Sequence, residues 1–306
     1  MTNDEQQLDE QELKAKRRAK REARRRRMQQ EMAEAIPIST SLEQPLGIKG
    51  NIQKLFSETW QDMRKEASLY RLGFFWWILE PILLILGFYI IFGIGLRGAG
   101  REGDFLPFLM TGILIWQWIP SIINNVANRS VRRHQKKEVE PTWYFVMKSF
   151  TSNTLEFILS FVLLLTFLLM RGYHWHLGHL FLPLLLLTQA CYILGVSFIT
   201  AILVPRLPDL QPLISSAVRF LFFMSGIIYD IEHFDNPQLQ QIFYLNPLAL
   251  LIKAYREVLI DGKIPHHVRL GFVVFGGVIL LAIGLWLLRK ERGVAENPQV
   301  NQASPA

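Results

Sequence analysis

One arginine and two glutamates stand where charge is least expected. Arg219 lies near the middle of an apolar run from Leu210 to Tyr229, and Glu80 and Glu156 lie in or near two other apolar runs. A charge at bilayer depth is expensive, so such residues usually turn towards a cavity or a partner. Two readings of Arg219 follow. It is a cation facing a channel and set to meet an anionic substrate, or it is the structural partner of Glu80 or Glu156. Glu80 precedes Pro81, which predicts a kink in its own run.

Other chemistry is thinly represented. His174, His176 and His179 fall within a short stretch without an adjacent carboxylate. That is a weak ligand set, and no metal is expected. The phosphate-cradling Gly-x-x-x-x-Gly-Lys-Ser/Thr loop is absent, as are His-Glu-x-x-His and Gly-x-Ser-x-Gly. No pair of cytoplasmic aspartates suits a metal-dependent glycosyl transfer. No catalytic residue and no bound cofactor are expected, so energy for any transport must come from elsewhere.

The elements that would position these residues are membrane spans. Half of the residues are hydrophobic, yet the net charge is +7. The charges are segregated between long apolar runs, as a bilayer core demands. Six runs approach the ~20 residues needed to cross: 74–96, 105–126, 153–170, 180–204, 210–229 and 270–288. The fold class expected is all-α integral membrane, with six transmembrane helices. Cys191 stands alone, so no internal disulfide is possible. The basic run near the start is not followed by a short apolar stretch with a cleavage site, and no secretory signal is expected.

Loop charge sets the orientation. Residues 1–45 form a basic tail, with ten Lys or Arg among the fourteen positions from Lys14 to Arg27. Such a run could bind nucleic acid, but beside a membrane it suits anionic headgroups or retention on the cytoplasmic side. The second loop carries Arg129, Arg132, Arg133, Lys136, Lys137 and Lys148. Arg289, Lys290 and Arg292 follow the last span, before a tail over 291–306. Both termini are therefore expected in the cytoplasm. Ahead of the first span, Ile48, Ile52, Leu55, Phe56, Trp60 and Met63 recur at helical spacing, while Lys54, Glu58, Asp62, Arg64 and Lys65 fill the other face. This predicts an N-terminal amphipathic interfacial helix.

Two loops have structure of their own. In the second, Asn128 or Ser130 could cap a short basic helix ended by Pro141. It docks on a partner, or it is a topogenic loop and no more. The fifth loop has about forty residues, long for a compact bundle. Asn236-Pro237 and Asn246-Pro247 each predict a helix start, and Asp261-Gly262 a stop. The two helices form a re-entrant or lid-like element, or an ordinary extracytoplasmic cap.

The stretch from Tyr70 to Pro81 (YRLGFFWWILEP) resembles the entry to the first span in permeases of polysaccharide ABC exporters, of the type-2 ABC permease family. The Asn246-Pro247-Leu248 segment followed by Tyr255-Arg256-Glu257 resembles the same family after its fifth span, and a basic residue at 219 is similar to its capsular polysaccharide export branch. The resemblance covers roughly residues 47–290, and 46–290 is expected to be one transmembrane domain. The long basic N-terminal extension departs from it.

This resemblance implies a permease subunit that moves lipid-linked, acidic capsular polysaccharide across the plasma (inner) membrane. O-antigen or teichoic-acid export, and a membrane-embedded glycosyltransferase, are the alternatives. It implies a second copy of the chain, two copies of an ATP-binding cassette subunit holding ATP and Mg, surrounding membrane lipids and periplasmic export components as partners, and no nucleic acid. It makes Ser130, Arg132, Arg133, Lys136, Lys137 and Glu138 a short cytoplasmic coupling helix. Asn236, Pro237, Asn246, Pro247, Tyr255, Arg256 and Glu257 belong to two short extracytoplasmic gate helices. Trp76, Trp77, Glu80, Arg219, Phe220, Phe222 and Phe223 line the channel, with the rings against sugar faces.

Overall fold

The computed structural model describes residues 48–68, 75–95, 105–136 and 140–295. The basic tail, the Tyr70–Phe74 half of the entry motif, Lys137, Glu138 and residues 296–306 lie outside the described residues. The chain divides after Gln53 into two units, and the packing and the site lie within the second, Lys54–Ala306. Among the described residues the regular structure is helical throughout: α1 (Ile48–Ser68), α2 (Trp76–Phe88) prolonged by π-helical turns over Tyr89–Gly95, α3 (Phe105–Lys136), α4 (Thr142–Met170), α5 (Leu182–Leu203), α6 (Leu210–Met224), α7 (Pro237–Tyr244), α8 (Pro247–Leu259) and α9 (His267–Ala295).

Among the described residues, five stretches are long and apolar enough to cross a bilayer: Trp76–Gly95, Phe105–Arg133, Thr142–Met170, Leu177–Leu203 and His267–Glu291. The run over 210–229 behaves differently. Its helix, α6, has 15 residues, about 22 Å at 1.5 Å per residue. Gly226, at φ +62°, turns the backbone, and Arg256 takes up the carbonyls of Gly226 and Ile227. Backbone can leave the helix in apolar surroundings where protein groups satisfy it.

α3 is the central helix. Phe108, Leu109, Ile113, Leu114, Ile115, Ile122 and Val126 are buried along it, and it packs against α2, α4, α5, α6 and α8. Gln189 of α5 donates to the Ile115 carbonyl at 2.9 Å. α5 and α9 meet through glycines. A Cβ on Gly195 would lie 2.6 Å from the Leu280 carbonyl carbon, and one on Gly284 would lie 2.8 Å from the Gly195 oxygen. Small residues let helices approach where no hydrophobic force drives them together. Outward faces of α2 and α9 are apolar and exposed, including Leu83, Ile90, Ile91, Phe272, Phe275 and Trp286.

α1 is held by charge. Lys148 Nζ of α4 lies 2.7 Å from Asp62 Oδ2 and 3.6 Å from Glu58 Oε2, and the Tyr144 hydroxyl donates to Glu58 Oε2 at 2.7 Å. The expected apolar face divides in two. Leu55 and Met63 turn into the protein, while Phe56 and Trp60 stay exposed.

The second loop corrects an expectation. α3 continues unbroken through Asn128 and Ser130 to Lys136, so no separate helix starts at either residue. Ser130 is buried, and its hydroxyl donates back to the Val126 carbonyl at 2.7 Å instead of capping a helix. Pro141 starts α4 rather than ending a helix. Its carbonyl accepts from the Tyr144 and Phe145 amides. Lys148, read as part of a loop, is inside α4.

Candidate functional site

A cavity of about 760 Å³ opens between α2, α3, α4 and α6. It lies in the range of ~300–1,000 Å³ usual for ligand sites. Three charged residues from apolar runs line it together: Glu80 from α2, Glu156 from α4 and Arg219 from α6. Arg219 donates to Ser216 Oγ of its own helix at 3.1 Å. Trp77, Phe222 and Phe223 line the cavity too, whereas Trp76 and Phe220 are exposed and outside its lining.

The largest share of the wall comes from α3. Gln117, Ser121, Asn124 and Asn128 follow one another three or four residues apart, and with Asn125, next to Asn124, they all line the cavity. This polar ladder was missed in the sequence, although its spacing inside an apolar run was a usable signal. It also holds α6 in place. Gln211 Nε2 donates to Asn128 Oδ1 at 2.7 Å, and one turn on, Ser215 Oγ donates to Asn124 Oδ1 at 3.0 Å.

Aromatic rings complete the wall. Phe222 packs at 5.7 Å from Phe88 and edge-on to Trp116 at 6.0 Å. Trp118 stacks on Phe157 at 4.4 Å, and its Nε1 donates to Thr154 Oγ1 at 3.1 Å. Amides, hydroxyls and flat apolar faces together suit a ligand with both polar edges and apolar faces, as a sugar ring has.

Past the Asn128 end, the basic residues divide. Arg132 is exposed. Arg133 lies 4.6 Å from the Phe145 ring centre and donates to the Glu140 carbonyl. Arg129 also lies over Phe145, at 5.3 Å. Two of these cations are thus packed on an aromatic ring where α3 meets α4.

At the opposite end, the helices of the fifth loop form as the Asn-Pro pairs imply. Asn236 Oδ1 accepts from the Gln238 amide at 2.9 Å, and Asn246 Oδ1 from the Leu248 amide at 3.0 Å. Asn246 Nδ2 also donates to Ser225 Oγ at 2.9 Å, tying α8 to the end of α6. Pro237 and Pro247 open the two helices, where a missing N–H is harmless. Tyr255 is fully buried. Arg256 lies over the Phe108 ring. Glu257 shares a polar pocket of about 310 Å³ with Asp230, Glu232, Lys253 and Arg269. Burial there pushes its carboxyl above the usual range, partly offset by Lys253 and Arg269.

The histidines serve the fold. His179 Nδ1 lies 3.1 Å from the His176 amide, and a Cβ on Gly262 would lie 2.6 Å from the His176 ring. Among the described residues, no group of three or more His, Cys, Asp or Glu side chains could hold a metal ion.

Comparison with known proteins gives this arrangement a context. Residues 51–260 match the family described as ABC-2 type transporter. The chain is 26% identical over 233 residues to the O-antigen export system permease protein RfbA of Klebsiella pneumoniae, covering 75% of this chain and 88% of that protein. It is 26% identical over 241 residues to the polysialic acid transport protein KpsM of Escherichia coli, covering 75% and 90%. An RfbA of Myxococcus xanthus is also 26% identical, over 225 residues, with 71% and 85% covered.

Proposed function

The chain belongs to the ABC-2 type transporter family, and on that premise we propose that it is the multi-pass permease subunit of an ATP-driven polysaccharide exporter. The carrying observation is the cavity of amides, aromatic faces and three charges between α2, α3, α4 and α6, in a chain related to permeases of that kind. The finer reading is export of lipid-linked capsular polysaccharide across the plasma (inner) membrane. O-antigen export is the second reading, favoured by the two RfbA relatives.

In this reading α6 and the turn after it complete a sixth spanning segment, and both termini face the cytoplasm, where the basic segments lie. ATP and Mg bind a separate ATPase chain, two copies of which pair with two copies of this one. This chain performs no catalysis. The Asn128 end of α3, with exposed Arg132, is where the ATPase pushes. Movement there reaches the cavity wall directly, because the same helix carries both. α7 and α8 close the outer end as gate helices. The cavity holds the passing sugars against Trp77, Phe222 and Phe223, and Arg219 meets the phosphate at the lipid-linked end. Periplasmic components receive the product.

Purification of the chain with its ATPase tests the reading. A partner carrying a phosphate-binding loop, whose ATP hydrolysis rises with lipid-linked polysaccharide, is the expected result. Arg132→Glu should weaken the association. A chain that purifies alone, or a partner indifferent to glycolipid, would overturn it.

A further inference from the structure

Pro120 divides α3 into two parts. It has no N–H, so the Trp116 carbonyl lacks its helical donor, and a helix bends most easily at such a point. The two parts are fastened to different helices. Ahead of Pro120, Gln189 of α5 donates to the Ile115 carbonyl at 2.9 Å, and Arg256 of α8 to the Phe108 carbonyl at 3.3 Å. Beyond it, Asn124 accepts from Ser215 and Asn128 from Gln211, both of α6. Side-chain bonds of this kind hold helices together where lipid leaves no hydrophobic drive between them.

The two bonds of this seam also set a register. α3 and α6 run antiparallel, so one turn back along α3 matches one turn on along α6. The next pair is Pro120 with Arg219, and both line the cavity. The pair after that is Trp116 with Phe223, and Trp116 meets the neighbouring Phe222 edge-on at 6.0 Å. Arg219 therefore stands level with Pro120.

We propose that Asn124 and Asn128 are positioning residues for Arg219: they bind α6 to the part of α3 beyond Pro120, so that the two swing as one body about that proline. The proposal rests on the export reading, and it gives the push at the Asn128 end a path to the charges of the cavity. Arg219 travels with α6, past Glu80 on α2 and Glu156 on α4, while the start of α3 stays with α5 and α8.

The test uses the full chain and its ATPase in inverted membrane vesicles, with Cys191→Ser to remove the native thiol. The probe is a fluorescent oligosaccharide on a polyprenyl diphosphate, and uptake is read per ATP hydrolysed. Asn124→Cys with Ser215→Cys removes one bond of the seam and should cut uptake about fivefold, with ATP hydrolysis retained. Joining the two thiols with a short bis-methanethiosulfonate should restore uptake, because a covalent link then holds together parts that move together. Pro120→Ala supplies the missing N–H. It should also cut uptake about fivefold, with a melting temperature no lower than the parent's.

A bridge that leaves uptake low, or lowers it further, would overturn the one-body motion and leave the export reading standing. So would parental uptake by the unbridged cysteine pair or by Pro120→Ala, or a Pro120→Ala chain that melts earlier, which would make the proline structural. No ATP-dependent uptake by the unmodified chain would overturn the export reading as well.

Discussion

The guanidinium of Arg256 lies 3.4 Å above the centre of the Phe108 ring. From there Nη1 donates to the Gly226 carbonyl at 2.7 Å, and Nη2 to the carbonyls of Ile227 at 2.8 Å and Phe108 at 3.3 Å. One side chain of α8 thus joins the start of α3 to the turn that ends α6. It also explains why α6 can stop short, since the carbonyls released by the turn are paired with a cation.

Replacing this residue should loosen the outer end of the bundle. Arg256→Ala loses charge-assisted bonds worth ~1.5–3 kcal/mol each to a charged donor, and the net loss should be about 2–4 kcal/mol because water replaces part of them. Arg256→Lys should recover little, because an ammonium cannot reach three carbonyls from a planar fork. Thermal unfolding of the purified chain measures both. A lysine variant as stable as the parent would show that charge alone suffices.

The α5–α9 contact should tolerate no side chain at its centre. Gly195→Leu would put atoms inside the α9 backbone, where even a Cβ lies 2.6 Å from Leu280. The expected outcome is loss of folded protein from the membrane fraction. Gly87→Ala, at a site with nothing within 4 Å of the added carbon, should accumulate normally and serves as the control.

The attachment of α1 should depend on Lys148. Its side chain is 11% exposed and is shared between Asp62 and Glu58. Lys148→Ala should raise amide hydrogen exchange across residues 54–68 while leaving the rest of the bundle protected. Lys148→Glu combined with Asp62→Lys should restore part of the protection. Exchange unchanged by Lys148→Ala would mean that Leu55 and Met63 hold the helix by packing alone.

The outer pocket should make stability pH-dependent in a definite direction. Glu257 titrates above its ordinary 4.5, chiefly because it is partly buried. A carboxyl raised in the folded state favours folding when protonated, so its contribution is fully present below 4.5 and is lost as pH rises through the raised value. Glu257→Gln should therefore be more stable than the parent near neutral pH, and the difference should vanish below about pH 4.5. A constant difference at all pH values would remove Glu257 from the titration.

What could be read in the sequence, and what could not, divides along one line. α7 and α8 were legible because Asn236 and Asn246 cap locally, each bonding its own next turn. The glutamates and the arginine were legible because charge in an apolar run is anomalous by itself. The continuation of α3 past Val126 was not. Its last turns read as a separate short helix until Gln211 and Ser215 arrive to pair with Asn128 and Asn124, and until Phe145 accepts two guanidinia. Glu58 and Asp62 were read as a solvent face for the same reason, because their partner is on α4. Arg256 also clamps carbonyls that only the fold brings near, a role that its place in the chain does not signal.

In the proposed export, polysaccharide crosses the membrane through the cavity containing Arg219. Inverted membrane vesicles containing the chain and its ATPase test it most directly, by uptake of labelled lipid-linked polysaccharide on addition of ATP. The parent should show ATP-dependent uptake. Arg219→Ala should lose about tenfold or more of it, with that variant inserted in the membrane at parental levels. Uptake that needs no ATP, or uptake by Arg219→Ala equal to the parent's, would contradict it.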